Sequence, residues 1–287
     1  MAQQPLAYLF QEFVESAEAR PIRILAEYLE PLRRFKEQKI QDTVVFFGSA
    51  RVDSRERAER ALRTLRARGV QDADAQYEAE LTRSRKAVEW ARYYEDAREL
   101  ARLLTVWSQT LESEHHRFVV TSGGGPGIME AANRGAYEAG GKSIGFNIRL
   151  PFEQGANRYL TDGLHFEFHY FFMRKFWFAY LAKALVIFPG GFGTLDEMFE
   201  ILTLAQTQKL SKQLGVFIYG REYWDAMIDL KPMAEWGAIN AGDLDLLKWV
   251  NSPAEAFEKL RAHLVAYHLV PETAQEDRAP GIAKTRG

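Results

Sequence analysis

The sequence predicts an α/β protein: a Rossmann-like, doubly wound parallel sheet with helices on both faces, extended by an N-terminal helical arm and an inserted helical hairpin. Three short apolar segments support this prediction, at residues 43–47, 117–121 and 184–188. Each runs into a turn of small residues, and the second and third turns lead into sequences with the apolar spacing of a helix. Because parallel strands end at one edge of a sheet, the three turns are expected to converge there on a ligand.

The remaining elements are predicted from local pattern. Residues 1–40 are expected to form the arm, as one or two amphipathic helices punctuated by Pro21 and Pro31. Residues 41–270 are expected to form the Rossmann-like domain, with a charged helical hairpin inserted on its surface at about residues 53–114. Further strands are predicted at residues 142–148, 164–168 and 214–219, and helices at residues 128–139, 198–209 and most of 224–267. Residues 271–287 are expected to be a flexible polar tail.

Composition excludes several classes of function. The net charge of −2 gives no cationic footprint for nucleic acid or for a membrane surface. The absence of cysteine excludes disulfides, thiolate metal sites and a Cys nucleophile. The six histidines are scattered, so no metal and no cofactor are expected. The N-terminus lacks a basic secretory region and Lys183 interrupts the longest apolar run, which together predict a cytoplasmic protein.

The segment PGGFGTLDE at residues 189–197 is the strongest functional signal. A strand, a glycine-rich turn and a helix N-terminus together form an anion site, because backbone N–H groups and the helix dipole favour negative charge. A phosphate is expected there, held by Gly190, Gly191, Gly193 and Thr194. Glu197 follows one helical turn later, although a simple phosphate site does not need a carboxylate. That carboxylate is expected to face the ligand, as a base or as a partner for sugar hydroxyls and a developing cation.

Thr194 and Glu197 also have the spacing of a capping box. In that interpretation the Thr side chain satisfies the N3 amide and the Glu side chain reaches back to the N-cap amide. Spacing alone gives the two interpretations about equal weight. They differ in the direction in which the carboxylate points.

A second unusual segment, residues 171–181, is apolar nearly all round but contains Arg174 and Lys175. Buried charges need partners, because an unpaired charge in the protein interior is costly. Arg174 is expected to face the site that the glycine turns build, where it meets a phosphate, a sugar or Glu197. Lys175 is expected to pair with a core carboxylate or to extend to water.

The GGGPGIMEAANRGA turn and helix, the Arg-Lys helix and PGGFGTLDE together resemble the LONELY GUY (LOG) family of nucleoside 5′-monophosphate phosphoribohydrolases, over residues 43–49 and 117–220. The resemblance implies hydrolysis of an N-glycosidic bond, with Arg174 and Glu197 as the catalytic pair and the glycines and Thr of PGGFGT on the 5′-phosphate. Nucleotide contacts are then assigned to Gly48, Ser49, Gly123, Gly124, Gly125 and Lys175. It also implies a homodimer, or an assembly of dimers, with the 171–181 helix at or near the contact.

Two departures leave the base open among adenine, a cytokinin and another purine. Phe172 and Met173 stand where short plant members carry His-Glu, and those members lack the hairpin at residues 53–114. One alternative is a non-catalytic carrier of a nucleotide or of molybdenum cofactor, which would not need the Arg174 and Glu197 pair. A dinucleotide-dependent oxidoreductase is disfavoured, because no turn carries the G-x-G-x-x-G fingerprint.

Overall fold

The computed structural model of the chain describes residues 5–68, 75–149, 155–207 and 213–269. Its strands are β1 Thr43–Phe47, β2 Val119–Ser122, β3 Ser143–Ile148, β4 His165–Phe168, β5 Ala182–Ile187, β6 Gly215–Tyr219 and β7 Leu247–Val250. Its helices are α1 Gln11–Glu15, α2 Arg20–Glu37, α3 Arg55–Ala67, α4 Ala75–Ser108, α5 Ile128–Glu138, α6 Phe171–Tyr180, α7 Phe192–Gln206, α8 Arg221–Met227, α9 Lys231–Glu235 and α10 Pro253–His268. The predicted tail at 271–287 lies outside the described residues.

The strands form one parallel sheet in the order β4-β3-β2-β1-β5-β6-β7. The chain builds outward from β1 to β4 on one side and then crosses to β5 on the other. The direction therefore reverses between β1 and β5, which is the position where open α/β sheets bind ligands. The predicted doubly wound parallel sheet is confirmed.

Alternate strand residues supply two cores. Val44 and Phe46 of β1 face the layer that contains α4, α5 and α10, whereas Val45 and Phe47 face the layer that contains α2, α6 and α7. All five residues of β1 are buried, as expected for a strand covered by helices on both faces. Helices pack on both faces of the sheet, and the sheet positions the turns at its carboxyl edge.

Helix α4 corrects the prediction that residues 53–114 form a surface hairpin. The prediction of two helices is confirmed by α3 and α4, although residues 69–74 between them lie outside the described part of the chain. Tyr94, Ala97, Leu100 and Leu104 of α4, however, are fully buried in the core. Their spacing of three and four residues is helical, but the many charged residues of the outer face concealed it. Helix α4 is thus the crossover helix between β1 and β2.

The N-terminal arm packs on the opposite face of the sheet. Pro21 lies in the first turn of α2, where its missing N–H is not needed, whereas Pro31 lies inside the helix and does not end it. Glu27 joins α2 to α6: its carboxylate accepts from the His169 N–H at 2.7 Å, and its carbonyl accepts from the indole of Trp177 at 2.8 Å. The arm therefore supports the helix that carries Arg174.

The last strand, β7, was missed by the sequence analysis, which expected residues 224–267 to be mostly helical. It has four residues and lies at the edge of the sheet beside β6, so half of its side chains are only partly buried. A strand this short gives no clear alternation of polar and apolar residues. Among the described helices, none is long and apolar enough to cross a membrane.

Candidate active site

Three turns meet at the carboxyl edge of the sheet: the β1 turn (residues 48–51), the β2 turn (residues 123–127) and the β5 turn (residues 188–193). The backbone of Ser49 connects them, because its N–H donates to the Pro189 carbonyl at 3.0 Å and its carbonyl accepts from the Ile128 N–H at 3.1 Å. The predicted convergence of the three turns is confirmed. It lies at the point where the strand order reverses.

The β5 turn leads into α7 earlier than predicted. The helix begins at Phe192 with Gly191 at its N-cap, so Thr194 occupies the third helical position. A capping box would need Thr194 at the N-cap, and the capping-box interpretation of Thr194 and Glu197 is therefore wrong. The first N–H groups of a helix have no intrahelical acceptor, and here they belong to the glycine-rich segment. The turn and the first helical turn together present backbone donors at the sheet edge.

Space around this turn is unevenly distributed. A Cβ atom built on Gly190 would lie 2.1 Å from Oγ1 of Thr194, so the site tolerates no side chain there. Cβ atoms on Gly191 and Gly193, in contrast, would meet nothing within 4 Å. Gly190 is needed for packing, whereas Gly191 and Gly193 border open space that a ligand can enter.

Arg174 of α6 and Glu197 of α7 face each other at this edge. Nη1 of Arg174 lies 3.8 Å from Oε1 of Glu197, within ion-pair range but too far for a hydrogen bond. The Arg174 side chain is 15% exposed and the Glu197 side chain 10% exposed. The expectation that Arg174 faces Glu197 at the glycine turns is met by this geometry.

Two further contacts fix the guanidinium of Arg174. Its Nε donates to the carbonyl oxygen of Phe146 on β3 at 2.7 Å, and its Cζ lies 5.0 Å from the centre of the Phe178 ring. A Cβ on Gly123 of the β2 turn would come within 2.7 Å of Nη2, so this glycine makes room for the guanidinium. Arg174 therefore contacts structure from β3, α6 and the β2 turn at once.

Burial shifts the proton affinities of the pair. Burial raises the pKa of Glu197 to about 7, and this outweighs the nearby charges of Arg174 and Lys175, which lower it. Burial lowers the pKa of Arg174, and the charge of Glu197 opposes that shift. A carboxyl group with a pKa near 7 exchanges its proton readily at neutral pH, as a general base requires.

Lys175 is held by α7. Its Nζ lies 2.8 Å from Oδ2 of Asp196 and 2.6 Å from Oε2 of Glu200. Burial alone would lower the pKa of Lys175, but the hydrogen bonds that its ammonium group donates to these two carboxylates raise it. The lysine thus has carboxylate partners, and its assignment to a nucleotide stays a prediction.

The β1 turn and the β2 turn are packed closely against α5. A Cβ on Gly48 would lie 2.7 Å from the side chain of Ile128, and Oγ of Ser49 accepts from the Arg51 N–H at 3.1 Å. Gly124 has φ +74°, and a Cβ there would lie 1.9 Å from Oδ1 of Asn147. These residues shape the edge of the site, and their contact with a nucleotide stays a prediction, as does that of Gly125.

Polar residues beneath the β2 turn were missed by the sequence analysis. Nδ2 of Asn157 donates to the carbonyls of Gly124 and Gly125 at 3.0 and 3.1 Å and to Oδ1 of Asn133 at 2.9 Å. Ser122 also donates to Oδ1 of Asn133, at 2.7 Å. Asn133 occupies an apolar helix face in the sequence, which is the one signal that could have marked it as part of a buried network.

Comparison with known proteins finds a family model and curated proteins that are similar to part of the chain. Residues 129–260 match a family model described as possible lysine decarboxylase. The probable cytokinin riboside 5′-monophosphate phosphoribohydrolase LOGL6 of Oryza sativa subsp. japonica is 25% identical over 147 residues, which are 50% of this chain and 58% of that protein. LOGL3 from the same plant is 26% identical over 157 residues, 52% of this chain and 70% of that protein.

The fold and the three turns define an α/β protein with glycine-rich turns at the switch point of its sheet. Within that class, the chain is similar to the LOG family: the family model matches residues 129–260, and the rice relatives match about half of the chain. The match spans 58% of the length of LOGL6.

Solved structures of molybdenum cofactor proteins are also similar to the chain. A carrier protein from Chlamydomonas reinhardtii is 18% identical with a TM-score of 0.45, covering 79% of this chain and 99% of that one. A binding protein from Rippkaea orientalis is 20% identical with a TM-score of 0.41, covering 59% of this chain and 86% of that one. Structural similarity at this level does not indicate which ligand this chain binds.

Proposed function

We propose that the protein hydrolyses the N-glycosidic bond of a purine nucleoside 5′-monophosphate and releases the free base and ribose 5-phosphate. The observation that carries this proposal is the buried Arg174–Glu197 ion pair beside the first turn of α7. A site that only binds phosphate gains nothing from a carboxylate whose pKa is raised to about 7. The names of the rice relatives support the same chemistry.

The 5′-phosphate is assigned to the β5 turn and the start of α7. Its oxygens would accept hydrogen bonds from the backbone N–H groups of residues 191–194, where the helix dipole favours a negative charge. Open space at Gly191 and Gly193 leaves room for the phosphate group. Binding there holds the sugar in place, so energy gained away from the reacting bond favours its cleavage.

Glu197 is assigned the central chemical role. As the bond from C1′ to the base nitrogen breaks, its electron pair leaves with the base and positive charge develops on the ribose ring. Ionised Glu197 stabilises this charge and accepts a proton from the water whose oxygen attacks C1′. The departing base takes up a proton from solvent, and Glu197 afterwards releases the proton of the attacking water to solvent, so the products are the neutral base and ribose 5-phosphate and Glu197 is again ionised.

Arg174 is assigned to positioning the substrate and to the charge state of Glu197. The bond from its Nε to the Phe146 carbonyl fixes the guanidinium and leaves the two terminal nitrogens for other partners. Its positive charge lowers the pKa of Glu197 against the effect of burial. Without it, the pKa of Glu197 would lie higher, and a smaller fraction of the carboxyl group would be ionised and able to act as a base at neutral pH.

A substrate panel tests the proposal. Purified protein is incubated with AMP, other nucleoside monophosphates and cytokinin riboside 5′-monophosphates, and free base is measured by chromatography. Release of a purine base from at least one nucleotide supports the hydrolase and identifies the base. Binding of a nucleotide or of molybdenum cofactor with no release of base would contradict the hydrolase and favour the carrier.

The assembly is proposed to be a homodimer. Helix α2 carries an exposed apolar stripe, formed at spacings of three and four residues by Ile22, Leu25 and Leu29. Tyr28 of α2 packs against Phe176 of α6 at 5.7 Å, which brings this stripe next to the exposed aromatic residues of α6. An exposed apolar surface built from two helices is typical of a protein interface.

A further inference from the structure

Tyr223 of α8 contacts the β5 turn from outside the candidate site. Its hydroxyl donates a hydrogen bond to the carbonyl oxygen of Gly190 at 2.9 Å. Burial raises the pKa of Tyr223, so the hydroxyl keeps its proton and remains a donor at neutral pH. Neither the sequence motif nor the catalytic pair includes this residue.

The bond fixes the direction of a backbone donor. In a trans peptide the C=O and the N–H lie in one plane and point in opposite directions. A carbonyl of Gly190 held on the side of Tyr223 therefore turns the N–H of Gly191 to the other side. Glycine on both sides of this peptide would otherwise permit it to rotate, because glycine populates a wide range of φ and ψ.

The preceding peptide is held in the same way. The carbonyl of Pro189 accepts from the Ser49 N–H at 3.0 Å, which sets the direction of the Gly190 N–H. Two successive peptides of the β5 turn are thus fixed by hydrogen bonds to their carbonyl oxygens. These bonds set the directions of the Gly190 and Gly191 N–H groups, and successive backbone N–H groups in a turn are one kind of structure that binds anions.

The long helix α4 supports Tyr223. The ring of Trp90 packs edge-on against the ring of Tyr223, with centres 5.3 Å apart and planes at 89°. One turn further along α4, the ring of Tyr93 lies against Gly220, the N-cap of α8, where an added Cβ would come within 2.8 Å of it. Helix α4 therefore contacts the start of α8 at two points.

We infer that Tyr223 is a positioning residue that aims the Gly191 N–H at the 5′-phosphate, and that α4 holds Tyr223 in place through Trp90. This inference rests on the proposed phosphate site, but it does not depend on whether the bound nucleotide is cleaved. It gives helix α4 a role in ligand binding, although α4 contributes no residue to the predicted site.

The test compares Tyr223→Phe with the wild-type protein in binding ribose 5-phosphate, measured by calorimetry. The variant removes only the hydroxyl, and the dissociation constant should rise roughly 3- to 10-fold, the size expected for one hydrogen bond. Trp90→Leu should shift it in the same direction. The matched control is Tyr137→Phe, an exposed tyrosine in the last turn of α5, which should bind as the wild type does.

Steady-state kinetics with the best nucleotide separate positioning from a merely structural role. Positioning predicts a raised KM with kcat within about twofold of the wild type, because ground-state and transition-state binding fall together. Unchanged binding and KM in Tyr223→Phe, or a lowered melting temperature with unchanged KM, would overturn the inference. So would failure of the wild-type protein to bind ribose 5-phosphate. If the wild type binds this probe but cleaves no nucleotide, the hydrolase proposal fails while the binding constants still decide the role of Tyr223.

Discussion

Nη1 of Arg174 and Oε1 of Glu197 lie 3.8 Å apart, and both side chains are largely buried at the carboxyl edge of the sheet. The separation is too long for a direct hydrogen bond and leaves the carboxylate oxygens free for other donors. A pair that served only to stabilise the fold would be expected to close to hydrogen-bond distance, because breaking or loosening a buried pair is costly. The geometry suits a pair that receives a water molecule and a sugar.

The pH dependence of turnover should report Glu197. Because Glu197 acts as a base in its ionised form and burial raises its pKa to about 7, kcat/KM should rise with pH through about 7 and fall about tenfold per unit below it. A pH profile of initial rates of base release measures this. The substrate phosphate also titrates, but with a pKa near 6 that the protein does not set.

Lys175→Met distinguishes these two titrations. The substitution removes a positive charge that lowers the pKa of Glu197 and leaves Asp196 and Glu200, whose charges raise it. The midpoint of the rising limb should therefore move to higher pH, as measured from the same rates. A midpoint that stays in place would show that Glu197 does not control this limb.

Two glycine substitutions, at Gly190 in the β5 turn and at Gly193 at the start of α7, should differ in their effect on stability. Gly193→Ala adds a methyl group where nothing lies within 4 Å, and alanine in a helix is favoured over glycine by about 0.5–1 kcal/mol. Its melting temperature should stay or rise, while KM rises because the methyl group fills the proposed phosphate space. Gly190→Ala instead collides with Thr194 and should lower the melting temperature. Wild-type KM in Gly193→Ala would argue against phosphate at this turn.

Cleavage should require the 5′-phosphate. A nucleoside has no 5′-phosphate and therefore loses every charge-assisted hydrogen bond to the β5 turn and the start of α7, each worth about 1.5–3 kcal/mol. The value of kcat/KM for adenosine should therefore be at least about 100-fold lower than for AMP, measured side by side by chromatography. Similar values for the two substrates would exclude phosphate binding at residues 191–194.

Light scattering should show a dimer of the 32.9 kDa chain. Leu25→Glu places a charge in the exposed stripe of α2 and should yield monomers, because a desolvated unpaired charge opposes association. Val265→Glu, a similar change at an exposed position of α10 on the opposite face of the sheet, is the matched control and should remain dimeric. A wild-type mass near that of one chain, with full activity, would contradict the assembly.

Sequence pattern predicted the fold well where strands are fully apolar and are followed by glycine. β1 was predicted with its observed bounds and β6 within one residue of them, because burial on both faces leaves a continuous apolar run. β7 and the buried face of α4 were not predicted. Strand β7 lies at the edge of the sheet and has only four residues. The apolar spacing on the buried face of α4 is obscured in the sequence by the charged residues of its outer face.

Site residues could be predicted where a local sequence pattern marks them. Arg174 was singled out because a cation in an apolar helix needs a partner, and the structure supplies Glu197 and the Phe146 carbonyl. Tyr223 was not singled out, because it lies 33 residues from the carbonyl that it binds and belongs to no motif. Contacts of that kind depend on how α8 packs beside the β5 turn.

The central claim is tested most directly by base release in Glu197→Gln, measured at pH 7.5 on the nucleotide that the wild type cleaves fastest. Loss of the carboxylate should lower kcat by about 10²–10³, while Glu258→Gln, an exposed glutamate of α10, should retain full activity. Because the pKa of Glu197 is raised from 4.5 to about 7 in the folded protein, stability falls as the pH rises through that range, and the loss is complete at pH 8. The melting temperature of Glu197→Gln at pH 8 should therefore equal or exceed that of the wild type. Near wild-type turnover in Glu197→Gln, with a lowered melting temperature, would show that the carboxylate is structural and would contradict the proposed mechanism.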